Sequence, residues 1–413
     1  MTARKPVLIY VTRDIERALG MTPHEGYIVI SNRTAYGYAI QRQFPHFVAL
    51  IEDSSQEIAG TGTLLDSPAT AELIARVTAH TGVRPNVMIF KNTARIEPIA
   101  KARGWNLINP PAMVSEKVEN KISQVMWLGS LEKFLPTHRL EFAKNLEWIG
   151  TPFVLQWAHG HTGGGTILIT NDSQLQELKT KFPERRARVT EYIEGASFTL
   201  NVVVTPNDIL LSSVSYQITG LKPFTDMPFA TIGNDWSLAG KILTAADRNI
   251  IENLAKELGA KMQQEQWRGL FGVDIIKDAK SDKIYLIEIN ARQPASTTFE
   301  SQLQQAKRLA GSPDAVGRMT TFEAHIAALL GEPVKPLIPI TDGAQIVQRV
   351  TSQRKQLPGD IEGSLELEGF KTISYNNTAD NSDLLRIQSR TGIMMDHNQL
   401  NQSGMEIVSA LAS

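Results

Sequence analysis

The chain has 413 residues, and at roughly 100–200 residues per domain that length suggests several domains rather than one. With 42% apolar residues it can bury a large core, which excludes intrinsic disorder, and with no cysteine it has no disulfide, Cys-ligated zinc, iron–sulfur cluster or thiol nucleophile. Forty-two Lys+Arg against forty-three Asp+Glu leave a net charge of −1, which argues against nucleic acid or an anionic membrane as a whole-chain partner.

The N-terminal apolar run Val7–Val11 is too short for a signal segment, and no stretch approaches ~18 uninterrupted apolar residues. The expectation is a soluble, cytoplasmic protein. Up to about residue 112, the runs Val7–Val11, Tyr27–Ile30, Phe47–Ile51 and Val87–Phe90 alternate with helix-like stretches. Across Ala69–Thr81, Ala71, Ile74, Ala75 and Val77 keep helical spacing. Strand–helix alternation with continuously apolar strands predicts a buried, largely parallel sheet. No GxGxxG follows the first strand, so a nicotinamide site has no support. Asn109-Pro-Pro-Ala112 marks a boundary, because consecutive prolines impose extended backbone.

Residues 113–335 follow as a second region. Lys121–Phe134 reads as a helix and Pro152–Gln156 as a strand. The glycine run His159-Gly-His-Thr-Gly-Gly-Gly-Thr166 then leads to a strand at Ile167–Thr170. Arg188–Ile193 precedes a strand at Phe198–Val204, with Ile209–Ser215 as its hairpin partner. Over Ala245–Met262, the residues Ile250, Ile251, Leu254, Leu258 and Met262 share a helical stripe. Two strands come next, Gly272–Lys277 and Lys283–Asn290. The tail, 336–413, reads as strands Ala344–Val350, Ser364–Leu367, Thr372–Tyr375 and Leu385–Ser389 with a short closing helix near Leu411.

The sharpest chemical signal is the last strand of the second region. Period-two alternation places Ile284, Leu286, Glu288 and Asn290 on one face. A hairpin closed near Ala279–Asp282 sets Asp274 roughly opposite Glu288. Asp274, Glu288 and Asn290 are hard oxygen donors, suited to Mg²⁺ or Mn²⁺, ions that complete their shell from water and phosphate. Arg292 adds a planar fork of donors for an anion on the same side. Taken alone, this cluster reads equally well as a polar strand pair at the surface. The glycine run adds weight: Gly160 and Gly163, Gly164 and Gly165 can present consecutive backbone N–H groups to an anion. By itself such a run is more often a surface hairpin. It also differs from the P-loop, which needs GxxxxGK[ST] opening a helix.

The order of features resembles the ATP-grasp superfamily over residues 113–310. Asn120-Lys121 opens a helix, and the glycine loop follows Phe153–Gln156. Thr190-Glu-Tyr-Ile-Glu-Gly195 precedes a strand, and Gly272-Val-Asp274 with Leu286-Ile-Glu-Ile-Asn-Ala-Arg292 closes the series. The resemblance implies a mixed α/β and α+β architecture: a small parallel α/β domain at 1–112, an ATP-grasp domain at 113–335 and a β-rich C-terminal extension at 336–413. The domain order is similar to that of biotin carboxylase or D-alanine–D-alanine ligase.

By the same resemblance, Lys121 contacts the nucleotide phosphates. Gln156, His161, Gly163, Gly164, Gly165 and Thr166 lie on or beside the loop that closes over them. Glu191, Tyr192 and Ile193 meet adenine, with Ser197 near the ribose. Asp274, Glu288 and Asn290 hold the metal ions, and Arg292 steadies the transferring phosphoryl group. The implied cofactors are ATP and Mg²⁺ or Mn²⁺. The implied reaction joins a small-molecule carboxylate to an amine or thiol through an acyl phosphate, releasing ADP and phosphate. Homo-oligomerisation is left open.

Three positions depart from the family pattern. Gln156 stands where many members carry a second phosphate lysine, with His159, His161 or Lys222 as candidate replacements for its charge. Thr190 replaces an acid for the adenine amino group, and Ser197 a ribose-binding acid. These departures make a nucleotide-binding protein without turnover one competing reading, and an ATP-grasp small-molecule kinase is a second. Ser215-Tyr-Gln-Ile-Thr219, Gly233-Asn-Asp-Trp236 and Arg349 read as loop and rim residues ahead of an acceptor pocket. His80 and His325 read as packing or surface residues, because no histidine spacing fits zinc.

Overall fold

The computed structural model describes residues 7–51, 58–79, 83–158, 165–375 and 377–412. The expected N-terminal runs form β1 (Leu8–Val11), β2 (Tyr27–Asn32), β3 (Val48–Ile51) and β4 (Asn86–Met88), with a short β5 (Asn106–Leu107). They pair in parallel in the order β3-β2-β1-β4-β5. Alternation along β1 sends Ile9 and Val11 to one apolar layer, with Leu64, Leu65 and Ile74. Leu8 and Tyr10 go to the other, where Phe322 and Ile326 complete the layer. Both of these belong to the helix Thr321–Leu330, so a distant segment covers one face of the N-terminal sheet.

A four-stranded antiparallel sheet follows, made of β6 (His138–Phe142), β7 (Phe153–Trp157), β8 (Thr166–Ile169) and β9 (Arg186–Glu191) in the order β6-β9-β7-β8. Leu155, Trp157 and Val189 form its core with Leu175 and Leu178 of the helix Asp172–Lys181.

The largest element is a nine-stranded sheet. Its strands are β10 (Gly195–Val204), β11 (Ile209–Leu211), β12 (Ser215–Thr219), β13 (Thr231–Asp235), β14 (Gly269–Asp278), β15 (Ile284–Asn290), β16 (Ala344–Arg349), β17 (Lys371–Ser374) and β18 (Asp383–Ser389). The path runs β15-β14-β10-β12-β13-β16-β18-β17, with β11 beside β10. Strands from the C-terminal tail therefore extend the sheet begun at Gly195, through the β13–β16 pairing. One face is apolar: Phe198, Leu200, Val273, Ile275, Ile346 and Leu385 pack with Ile251, Leu254, Leu258 and Met262 of the helix Ala245–Gln264. The other face carries polar residues and forms the wall of a cavity.

Two expectations about these elements are corrected. Ile250 leaves the helical stripe and is exposed, because one residue's step, about 100°, carries it past the buried edge. Ser364–Leu367 is the end of a helix, Ile361–Leu367, whose start is capped by Asp360 accepting the Gly363 N–H at 3.2 Å. Among the described residues, no helix is long and apolar enough to cross a membrane.

Candidate functional site

The acidic hairpin is built by register. β14 and β15 pair so that Asp274 lies opposite Glu288 and Gly272 opposite Asn290. The expected shared face of Ile284, Leu286, Glu288 and Asn290 is broken by a bulge: Ile275 pairs with Leu286 but Asp274 with Glu288, leaving Ile287 extra. Ile284 and Leu286 consequently face the core, as do Ile289 and Ala291 beyond the bulge. Without the extra residue, Glu288 would follow Leu286 into that core.

On the polar face, Asn290 Nδ2 donates to Asp274 Oδ2 at 2.8 Å. Thr199 and Gln217 side chains also bond Asp274, yet burial, followed by the nearby Glu288 charge, pushes its carboxyl up to about 6. Burial would likewise raise Glu288, but Lys121 and then Arg292 outweigh it and hold Glu288 below the usual range. Lys121 Nζ pairs with Glu288 Oε1 at 2.7 Å. It is aimed there by the first turn of the helix Lys121–Leu128, which Asn120 caps by accepting the Ile122 N–H at 2.9 Å. The Lys121 N–H also donates to the Ala158 carbonyl at 3.0 Å, tying this helix to the end of β7. Arg292 donates to Asn290 Oδ1 at 2.6 Å and pairs with Glu119, which also pairs with Lys91.

These groups open on a cavity of about 400 Å³ between the small sheet and the polar face of the large one. Lys121, Gln156, Gly165, Thr166, Glu191, Tyr192, Ile193, Ser197, Asp274, Glu288, Asn290 and Arg292 all line it. His161, Gly163 and Gly164, with His159 and Gly160, lie outside the described residues, as does His80. Lys222 is exposed and does not line the cavity. His325 is a packing residue: its Nδ1 accepts the Leu270 N–H at 3.0 Å, and burial lowers its pKa to about 3. Among the described residues no three His, Asp or Glu side chains converge as a complete metal cage. The donor set is two carboxylates and a carboxamide, which suits a small hard cation that takes its remaining ligands from water or phosphate.

The far end of the cavity is cationic. Gln217, Thr219, Gly233, Asn234 and Arg349 line the cavity, so several residues first read as rim belong to the wall, whereas Tyr216 and Trp236 are buried in apolar clusters. Sequence reasoning missed Arg17, Arg188, Gln345, Asp383 and Arg386, which line the cavity too, Arg188 beside Gln156 and Arg17 against Gln293. Arg386 donates to Tyr375 Oη at 3.0 Å and Gln345 Oε1 at 3.2 Å. Arg349 donates to the Thr231 carbonyl at 2.9 Å, while its buried Nε has no hydrogen-bond partner. Arg17 reaches in from the N-terminal region, its guanidinium over the Phe90 ring at 4.8 Å and its carbonyl accepting from Gln293 and Thr298.

Residues 118–296 match the ATP-grasp domain family. No curated protein sequence matches the chain. Among solved structures, N5-carboxyaminoimidazole synthetase from Staphylococcus aureus is 14% identical with a TM-score of 0.62, over 100% of this chain and 99% of that one. The Aspergillus clavatus N5-carboxyaminoimidazole synthase, in complex with ADP and 5-aminoimidazole ribonucleotide, gives 14%, 0.62, 100% and 99%. The biotin carboxylase domain of Hydrogenobacter thermophilus 2-oxoglutarate carboxylase, in complex with MgADP, ADP and bicarbonate, gives 14% and 0.59 over 95% and 87%. At these identities, what is shared is the fold.

Proposed function

From the ATP-grasp domain at residues 118–296, we propose that this protein is an ADP-forming ligase that joins a carboxylate to an amine or thiol through an acyl phosphate. The observation that carries this reading is one cavity with the acidic hairpin and Lys121 at one end and Arg349 and Arg386 of strands β16 and β18 at the other. The hairpin end is the seat for the triphosphate and the arginine end for an anionic substrate. In this division of labour, 113–335 supplies the nucleotide site, while 336–413 supplies the acceptor arginines.

The chemistry needs no protein nucleophile. A substrate carboxylate oxygen attacks the γ-phosphorus, the bond to the β–γ bridging oxygen breaks, and ADP carries away the electron pair. The amine then attacks the acyl carbon, phosphate leaves, and the amine's proton goes to solvent. Lys121 and Arg292 offset the charge that develops on the phosphoryl oxygens. Mg²⁺ or Mn²⁺ fits Asp274, Glu288 and Asn290, because a carboxyl pushed up to about 6 by burial, beside a second carboxylate, marks a demand for positive charge. When bound, such an ion would supply Lewis acidity toward the phosphoryl group.

Similarity of fold to enzymes solved with ADP, 5-aminoimidazole ribonucleotide or bicarbonate makes bicarbonate and small phosphorylated amines the first substrates to try. The expected result is release of ADP and phosphate that depends on both partners, together with a new carbamate, amide or thioester. A stable phosphoester would indicate a kinase instead, and ATP binding with no ADP under any pair would indicate a binding protein. That last reading draws on Gln156, Thr190 and Ser197.

A further inference from the structure

Arg188 is among the largest side chains fully removed from solvent, at 2% exposure. It stands on β9 directly across from Gln156 on β7. Its Nε and one terminal nitrogen both donate to Gln156 Oε1, at 3.0 and 2.8 Å. The other terminal nitrogen donates to Gln124 Oε1 at 2.9 Å, and the Ile287 carbonyl accepts at 3.1 Å. All of these acceptors are neutral. The opposing charge that acts on Arg188 is Glu288, which Lys121 already pairs at 2.7 Å. Burial pulls the guanidinium down to about 10, so it is still a cation at neutral pH. A buried cation with only neutral partners is unfavourable by itself, and an anion arriving nearby relieves it.

The clasp also fixes Gln156. With Oε1 accepting twice from Arg188, the carboxamide orientation is set and Nε2 becomes the free end. Among the described residues Nε2 has no acceptor, and Gln156 lines the cavity beside Gly165 and Thr166. We propose that Arg188 and Gln156 form one anion-binding unit for the nucleotide phosphates, in which Gln156 Nε2 touches a phosphate oxygen and Arg188 is the positioning residue that supplies charge behind it. The inference rests on the nucleotide reading above. It accounts for the glutamine at a position where a lysine was expected: the charge sits one strand over, and the amide passes it on through polarisation.

Gln156→Glu tests this, because the substitution keeps the shape and reverses the two effects. The carboxylate gives Arg188 a counter-ion, so the melting midpoint is expected to hold or rise. It also turns an acceptor toward the phosphates, so the ATP and ADP dissociation constants measured by calorimetry are expected to rise about tenfold or more. A side chain with a purely structural role would leave nucleotide affinity alone. The double variant Gln156→Lys with Arg188→Met returns the charge to position 156 and is expected to bind ATP within about threefold of the parent chain. Unchanged ATP affinity in Gln156→Glu, or a lowered melting midpoint, would overturn the inference. If the parent chain binds neither ATP nor ADP, it is the nucleotide reading that fails, a distinct result.

Discussion

At the hairpin end of the cavity, Lys121 meets Glu288 at 2.7 Å and Arg292 meets Glu119, whereas at the far end Arg349 and Arg386 share Asp383 at 3.8 and 3.4 Å. Lys121 and Arg292 are therefore each matched by a carboxylate within the protein, whereas Arg188 behind them has only neutral hydrogen-bond partners. At the far end Arg349 is under-satisfied, its Nε buried without a hydrogen-bond partner and its pKa lowered by burial, while Arg386, despite its burial, is held above its usual range by Tyr375, Glu16 and Asp383. The contrast separates two jobs. Matched charges hold a fixed geometry for a ligand that brings its own cation, as a metal–triphosphate does. An under-satisfied arginine such as Arg349 invites a plain anion.

Breaking the hairpin end should have the largest effect. Glu288→Gln with Asn290→Ala is expected to lower metal-dependent ADP formation by at least ~10²–10³-fold, with an unchanged far-ultraviolet circular dichroism spectrum. Turnover close to that of the parent would remove the metal assignment. At the far end, Arg349→Met should raise the KM for the anionic substrate about tenfold and leave ATP affinity in place. An equal loss of ATP affinity would show that the two ends are not separate sites.

A sealed carboxylate on the same sheet face sharpens the contrast. Asn201 Nδ2 donates to Glu300 Oε2 at 2.6 Å beneath the helix Thr297–Leu309, and burial pushes that carboxyl up to about 7. Unlike Asp274, it does not line the cavity and has no access to a ligand's cation. Because the folded value lies above the ordinary 4.5, the unfolded chain ionises first as pH rises. The favourable contribution is present below about pH 4.5 and lost as pH climbs through about 7. Glu300→Gln should therefore stabilise the protein on the order of 1–3 kcal/mol at pH 8 and little at pH 4, as read by denaturant titration. Equal effects at both pH values would show that folding leaves the Glu300 pKa unshifted.

Much of this was legible in the sequence because it is local. The buried β-branched runs near the N-terminus and the pairing of Asp274 with Glu288 follow from alternation and hairpin geometry alone. The phase of β15 was not legible, since the bulge at Ile287 leaves no mark in the residue pattern. Arg188 escaped notice because its role depends on which strand pairs with Gln156, and register across a sheet is a tertiary choice. Arg17, Arg349 and Arg386 are scattered over the whole chain and line one cavity only once β16, β18 and the N-terminal region close on it. The helix at Ile361–Leu367 was hidden because Leu365 and Leu367 mimic a strand's alternation, although the capping Asp360 was there to be read.

The most direct measurement is calorimetric titration of ATP into the protein with and without Mg²⁺, repeated on the Glu288→Gln, Asn290→Ala variant. The account predicts one site per chain, magnesium-strengthened binding in the parent and loss of that strengthening in the variant. Absence of ATP binding, or binding indifferent both to magnesium and to the two substitutions, would contradict it.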